Sequence, residues 1–184
     1  MNTIKFLVSE HDNIKKVLKV IRKICVGIVE GKEVPHDDLV SIIDFIRNYA
    51  DKYHHGKEED MLFKDMTAEL ADKIGTGPVQ GMLIEHDFGR SFVRELETAL
   101  KAYKEGNNEA KVDIIANAMG YANLLEKHIF KEDNMLYKYA EKNLKEETIN
   151  KLDKEFKEYE EKQEHIETKN KYIKLAEELE KKYS

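Results

Sequence analysis

Along four long stretches the apolar positions step by three and four, the spacing of one face of an α-helix, with charged residues filling the other face. From about residue 3 to 30 the stripe is Ile4, Leu7, Val8, Ile14, Leu18, Ile21, Cys25 and Ile28, with His11 inside it. Gly31 and Pro35 break this helix, and Asp37-Asp38 suits the start of the next. There Leu39, Ile42, Ile43, Ile46, Ala50, Met61 and Leu62 make a stripe that His54 and Glu58 continue. A loop at 72–78 follows, and Pro78 fits the first turn of a third helix reaching about residue 105. Its stripe is Met82, Leu83, His86, Val93, Leu96, Leu100 and Tyr103. After Gly106-Asn107-Asn108 a fourth helix runs to about residue 141 through Val112, Ile115, Tyr121, Leu124, Leu125, His128, Glu132, Met135 and Tyr139. The pattern predicts an all-α, up-and-down antiparallel four-helix bundle over residues 1–143. Residues 144–184 are densely charged, with a thinner series of Ile149, Leu152, Phe156, Tyr159, Ile173, Leu175 and Leu179. They read as a C-terminal helical extension, one long helix or a bent pair, packed on the bundle.

Composition narrows the possibilities. With 184 residues, 41% of them apolar, the chain suits one well-packed domain, and only two prolines favour nearly continuous helix. A net charge of -6 with both signs interspersed gives no electrostatic footprint for nucleic acid. No apolar run approaches the ~20 residues of a membrane span, and no leader pattern opens the chain, so the expectation is a cytoplasmic protein. The single cysteine, Cys25, excludes an internal disulfide or a multi-thiolate metal site, and its apolar neighbours make it a buried hydrophobe.

The chemistry lies in two stretches that align without a gap, beginning at His54 and His128. Each has Lys three residues on (Lys57, Lys131), Glu four residues on (Glu58, Glu132), then Met-Leu-aromatic. Positions i and i+4 of a helix share a face, so each stretch presents an imidazole and a carboxylate together. His11 and His86 sit in matching Glu-His-Asp tripeptides near the starts of their helices, whereas the doubled stretches lie near the ends of theirs. Antiparallel packing then brings His11, His54, Glu58, His86, His128 and Glu132 to one level. Taken singly, a stripe histidine is more often a hydrogen-bonded core residue than a ligand. Six ionisable groups in one buried layer would cost several kcal/mol each unless paired. Four imidazoles and two carboxylates suit iron, manganese or zinc, and two ions employ all six where one does not.

Other polar residues are ranked against these. His55 and Glu59 form a second i, i+4 pair, about 100° round the helix from the stripe. They are the register alternative, without an equivalent at Ile129 and Asp133. Asp133 competes with Glu132. Tyr53, Tyr121, Tyr137 and Arg90 could support the ligands, or a tyrosinate could add to them. Gly56 would relieve crowding beside the site, and His36 and His165 read as solvated.

The His, His-x-x-x-Glu, Glu-His, His-x-x-x-Glu series over residues 3–142 resembles the hemerythrin-like, HHE cation-binding family. The resemblance implies a carboxylate- and oxo-bridged pair of non-heme iron ions held by His11, His54, Glu58, His86, His128 and Glu132. Oxygen-carrying members have two histidines one turn apart in the third helix; here position 90 is Arg, which is closer to the bacterial four-histidine branch. The implied activity is binding of O2, nitric oxide or peroxide, with peroxide- or nitric-oxide-directed redox turnover left open and an unidentified electron donor. Iron or oxygen sensing, or repair of iron centres, is the alternative. Partners of another kind, nucleic acid or membrane, are not expected, and the chain reads as a monomer or weak homo-oligomer.

Overall fold

The structure is a computed structural model describing all residues, 1–184, and it is helical throughout. Helix α1 spans Asn2–Val29. Helix α2 runs without a break over residues 36–74, and α3 covers Gly77–Lys104. Helix α4 occupies residues 110–143, followed by α5, Glu146–Glu160, and α6, Gln163–Lys182. The turns after α1, α2 and α3 each contain a glycine at positive φ, Gly31, Gly75 and Gly106, which a side chain with a Cβ adopts at a cost.

Helices α1 to α4 form the bundle, with α3 and α4 the most closely packed pair. Gly120 permits that approach: a Cβ there would come within 2.5 Å of the Phe92 ring. The extension is a pair of helices broken at residues 161–162. Helix α6 packs along both α1 and α2 and adds Tyr172, Ala176 and Leu179 to the main core. Helix α5 adds Leu152 and Phe156 to a second, smaller apolar cluster. No helix is long and apolar enough to cross a membrane.

The stripe of α4 differs from its sequence reading. Val112 and Met135 are exposed, at 69% and 64%, while Ile114, Leu136 and Tyr137 are buried. Part of α4, Glu132–Leu136, is π-helical, as are Ile46–His55 and Glu58–Leu62 of α2. Their signature bonds span five residues: Gly56 N–H donates to Asp51 O, Phe63 N–H to Glu58 O and Tyr137 N–H to Glu132 O. A wider turn takes up an extra residue and shifts the phase of everything after it, so Leu136 and Tyr137 turn inward in place of Met135.

Candidate metal centre

The two apolar clusters are separated by a polar layer. His11, His54, Glu58, His86, His128 and Glu132 are all at most 2% exposed. The structure brings all six expected side chains together. His11 Nε2 lies 3.3 Å from Glu132 Oε2, and His128 Nε2 lies 3.1 Å from Glu132 Oε1. Glu58 Oε2 lies 3.7 Å from His54 Nε2 and 3.6 Å from His86 Nε2.

His55 corrects the sequence reading. It is 5% exposed and stacks on His86 with ring centroids 3.8 Å apart. The π-helical turn that ends at His55 reduces the angular step between neighbours, so His54 and His55 both reach the interior. The layer therefore holds five histidines, and the fifth comes from α2 instead of the third helix. The donor atoms fall into two groups, each compact enough for one ion: His11, His54 and Glu132, and His55, Glu58, His86 and His128.

Behind these imidazoles stands a set of carboxylates. The Nδ1 atoms of His11, His54, His86 and His128 donate to Asp133 (2.7 Å), Glu10 (2.8 Å), Glu59 (2.6 Å) and Glu85 (2.9 Å). Carboxylates only accept, so the proton is fixed on Nδ1 and the Nε2 lone pair is turned to the centre, the tautomer a metal-binding imidazole needs. Asp133 is thus a partner of His11 and Lys15, while Glu132 faces the layer. Arg90 joins Asp51 to Glu59, Tyr137 Oη donates to Glu58, and Tyr53 Oη donates to Glu160.

These contacts repeat. Positions 10, 11 and 15 recur 75 residues later as 85, 86 and 90, and positions 54, 57, 58 and 59 recur 74 residues later as 128, 131, 132 and 133. Glu10 accepts from His54 and Lys57, as Glu85 accepts from His128 and Lys131. The α1–α2 and α3–α4 hairpins are therefore equivalent halves about the layer. The matching tripeptides and lysines carried this signal in the sequence, but the crossed pairing, in which Glu10 serves His54 and not its neighbour His11, needs the fold.

Buried charge sets the protonation. Burial opposes a charged His11, yet the hydrogen bond to Asp133 and the nearby charge of Glu132 outweigh it and lift the pKa to about 9. Burial holds His54 and His55 well below the ordinary histidine range. Burial and the charge of Glu132 push Glu58 well up, whereas Glu132, despite its burial, is held well down by His128 and His11.

A metal fits what is left over. The Nε2 atoms of His11 and His54, Glu58 Oε2 and both Glu132 oxygens are buried without a hydrogen-bond partner. The Nε2 atoms of His86 and His128 face each other at 3.1 Å, each with Nδ1 committed to a carboxylate. Two lone pairs converge there only around a proton or a cation, and the spacing matches cis ligands at ~2.1 Å from one ion. Unsatisfied buried polar groups are rare in native proteins, and here they concentrate in one layer.

Two earlier readings change. Gly56 relieves no crowding, since a Cβ there would find nothing nearer than Asp51 O at 4.0 Å. His165 is only partly solvated: it bonds Tyr159 O at 2.6 Å and stacks on the Tyr159 ring at the break between α5 and α6.

A bundle whose four helices converge histidines and carboxylates on a buried centre belongs to the class of helical metal-binding proteins. The hemerythrin HHE cation-binding domain model matches residues 2–140, and the chain belongs to that family. No curated protein and no solved structure matches the chain.

Proposed function

We propose that this layer holds two metal ions, iron foremost with zinc or manganese as alternatives, and that the pair binds O2, nitric oxide or peroxide, with redox turnover. The observation that carries this reading is the position of the two central carboxylates. Glu132 reaches His11 of one donor group and His128 of the other, and Glu58 reaches His54 and His86 in the same way. A carboxylate shared between two donor groups suits a bridge and balances the charge of two divalent ions. Bound iron would supply open coordination positions and electrons for a small ligand. The chain's own part is to fix imidazole tautomers through Asp133, Glu10, Glu59 and Glu85, and to hold Glu58 through Tyr137. Metal analysis of protein purified without added metal should find two iron ions per chain, lost in His54→Ala and His128→Ala. One ion per chain, or none, would overturn the pair.

A second reading, iron or oxygen sensing, is favoured by the contact of the extension with the centre. Glu160 of α5 accepts from buried Lys57 at 2.6 Å; Lys57 also donates to Glu10, and Glu10 accepts from His54. On this reading, loss of metal loosens residues 145–184. Equal protease sensitivity of that segment with and without metal would exclude it.

A further inference from the structure

The two halves of the bundle match at the carboxylates and lysines but differ in what covers the imidazoles. Beside His11, one turn on, stands Ile14, which is 1% exposed and part of the main core. The equivalent residue beside His86 is Gly89. Where Ile14 fills space, Gly89 lets Tyr121 and Leu125 of α4 come within 3.6 Å of where a Cβ would stand, and beside them a cleft of about 320 Å³ opens between α2, α3 and α4. Asp51, His55, His86, Gly89, Arg90 and Tyr121 are among the residues that line it. Two of them belong to the second donor group, so the cleft leads directly to that group. On the other half, α6 packs over α1 and α2, and Tyr49 and Tyr53 are buried.

One polar atom in this cleft lacks a partner. Tyr121 is 2% exposed and its hydroxyl meets no acceptor, whereas Nδ1 of His55 faces Asp51 Oδ1 at 3.6 Å. A buried hydroxyl without a partner is costly, and a native fold that retains one at the wall of a cavity offers a donor to whatever enters. The volume, against the ~30 Å³ a water takes in the liquid, admits a ligand of two or three atoms with several waters.

We propose that this cleft is the binding site for the small ligand: it approaches the His55, Glu58, His86 and His128 position, coordinates through one end and accepts a hydrogen bond from Tyr121 at the other. The ligand class is thus a short, metal-coordinating molecule with an acceptor atom at its far end. The inference rests on the metal pair proposed above. Arg90, tied to Asp51 and Glu59, holds the rim of the cleft and the partner of His86 in one arrangement.

Azide serves as the probe, titrated into metal-loaded, full-length protein with metal content measured for every variant. Tyr121→Phe should weaken azide roughly fivefold to tenfold at unchanged metal content, the loss of one hydrogen bond. The same variant should not lower the melting temperature of the metal-free protein, because the lost hydroxyl had no partner; a purely structural role would lower it. Gly89→Leu should slow azide association at least tenfold by crowding Tyr121 and the cleft beside it, and should it fail to fold, Tyr121→Phe carries the test alone. Wild-type azide affinity in both variants, with metal retained, overturns the cleft and leaves the metal pair standing. Metal-loaded wild-type protein that binds no azide does the same, whereas wild-type protein that takes up no metal overturns both.

Discussion

Lys57 and Lys131 hold matched positions in the two halves, yet their surroundings differ. Lys57 is wholly buried between Glu10 and Glu160, while the side chain of Lys131 is 35% exposed beside Glu85. Breaking a buried ion pair leaves charge without a partner and typically costs about 3–5 kcal/mol, whereas an exposed pair contributes about 0–1 kcal/mol. Lys57→Met should therefore lower stability to chemical denaturation by about 3–5 kcal/mol, and Lys131→Met by less than about 1 kcal/mol. Equal effects would mean that the extension does not enclose Lys57 as described. At this scale much of the centre was legible. His11, His54, Glu58, His86, His128 and Glu132 announced themselves because ionisable groups on apolar stripes need a reason. His55 did not, because a constant 100° step hides a residue that a wider turn brings inward. Glu10 and Glu85 were visible only as neighbours of histidines they do not serve.

The π-helical turns explain most of what helical periodicity misplaced. They fall at Ile46–His55, Glu58–Leu62 and Glu132–Leu136, each beginning or ending at a member of the centre. Nothing in residue type marks such a turn, since its extra residue is held by packing and not by propensity. The extension was legible as helix from its thin apolar series, but its link to the metal centre runs through Glu160, one polar residue among many. Burial works against an ionised Glu160, but Lys57, Lys169 and Tyr53 together hold its pKa down at about 2. Folding thus favours the ionised carboxylate. Its contribution is full above the ~4.3 of an unfolded glutamate and is lost as pH falls through about 2. Limited proteolysis of residues 145–184 with an acid-stable protease should show release over that window, and Glu160→Gln should show increased cleavage already at neutral pH. Release in Glu160→Gln only at the wild-type pH would refute the assignment.

For the molecule as a whole, the four-helix architecture followed from periodicity and punctuation, because long amphipathic stretches with glycine-marked ends leave few alternatives. The near-equivalence of the halves showed in the doubled stretches and matching tripeptides, but their one-sided cover did not follow, since it arises from which helix lies against which. An ion that binds only the folded centre stabilises it in proportion to the logarithm of its free concentration over its dissociation constant. Melting temperature should therefore climb steadily with added ferrous ion under anaerobic conditions, and should stay flat for His54→Ala combined with His128→Ala. A flat wild-type curve would contradict the proposed pair. The sharing of donors between hairpins has a mechanical side. His11, His54 and Glu132 come from α1, α2 and α4, and His55, Glu58, His86 and His128 from α2, α3 and α4. Neither hairpin owns a complete coordination shell, so an ion seated there works as a rivet through both. Drawn apart from its ends, the loaded chain should yield only when the rivet shears, at a force that a chelator abolishes.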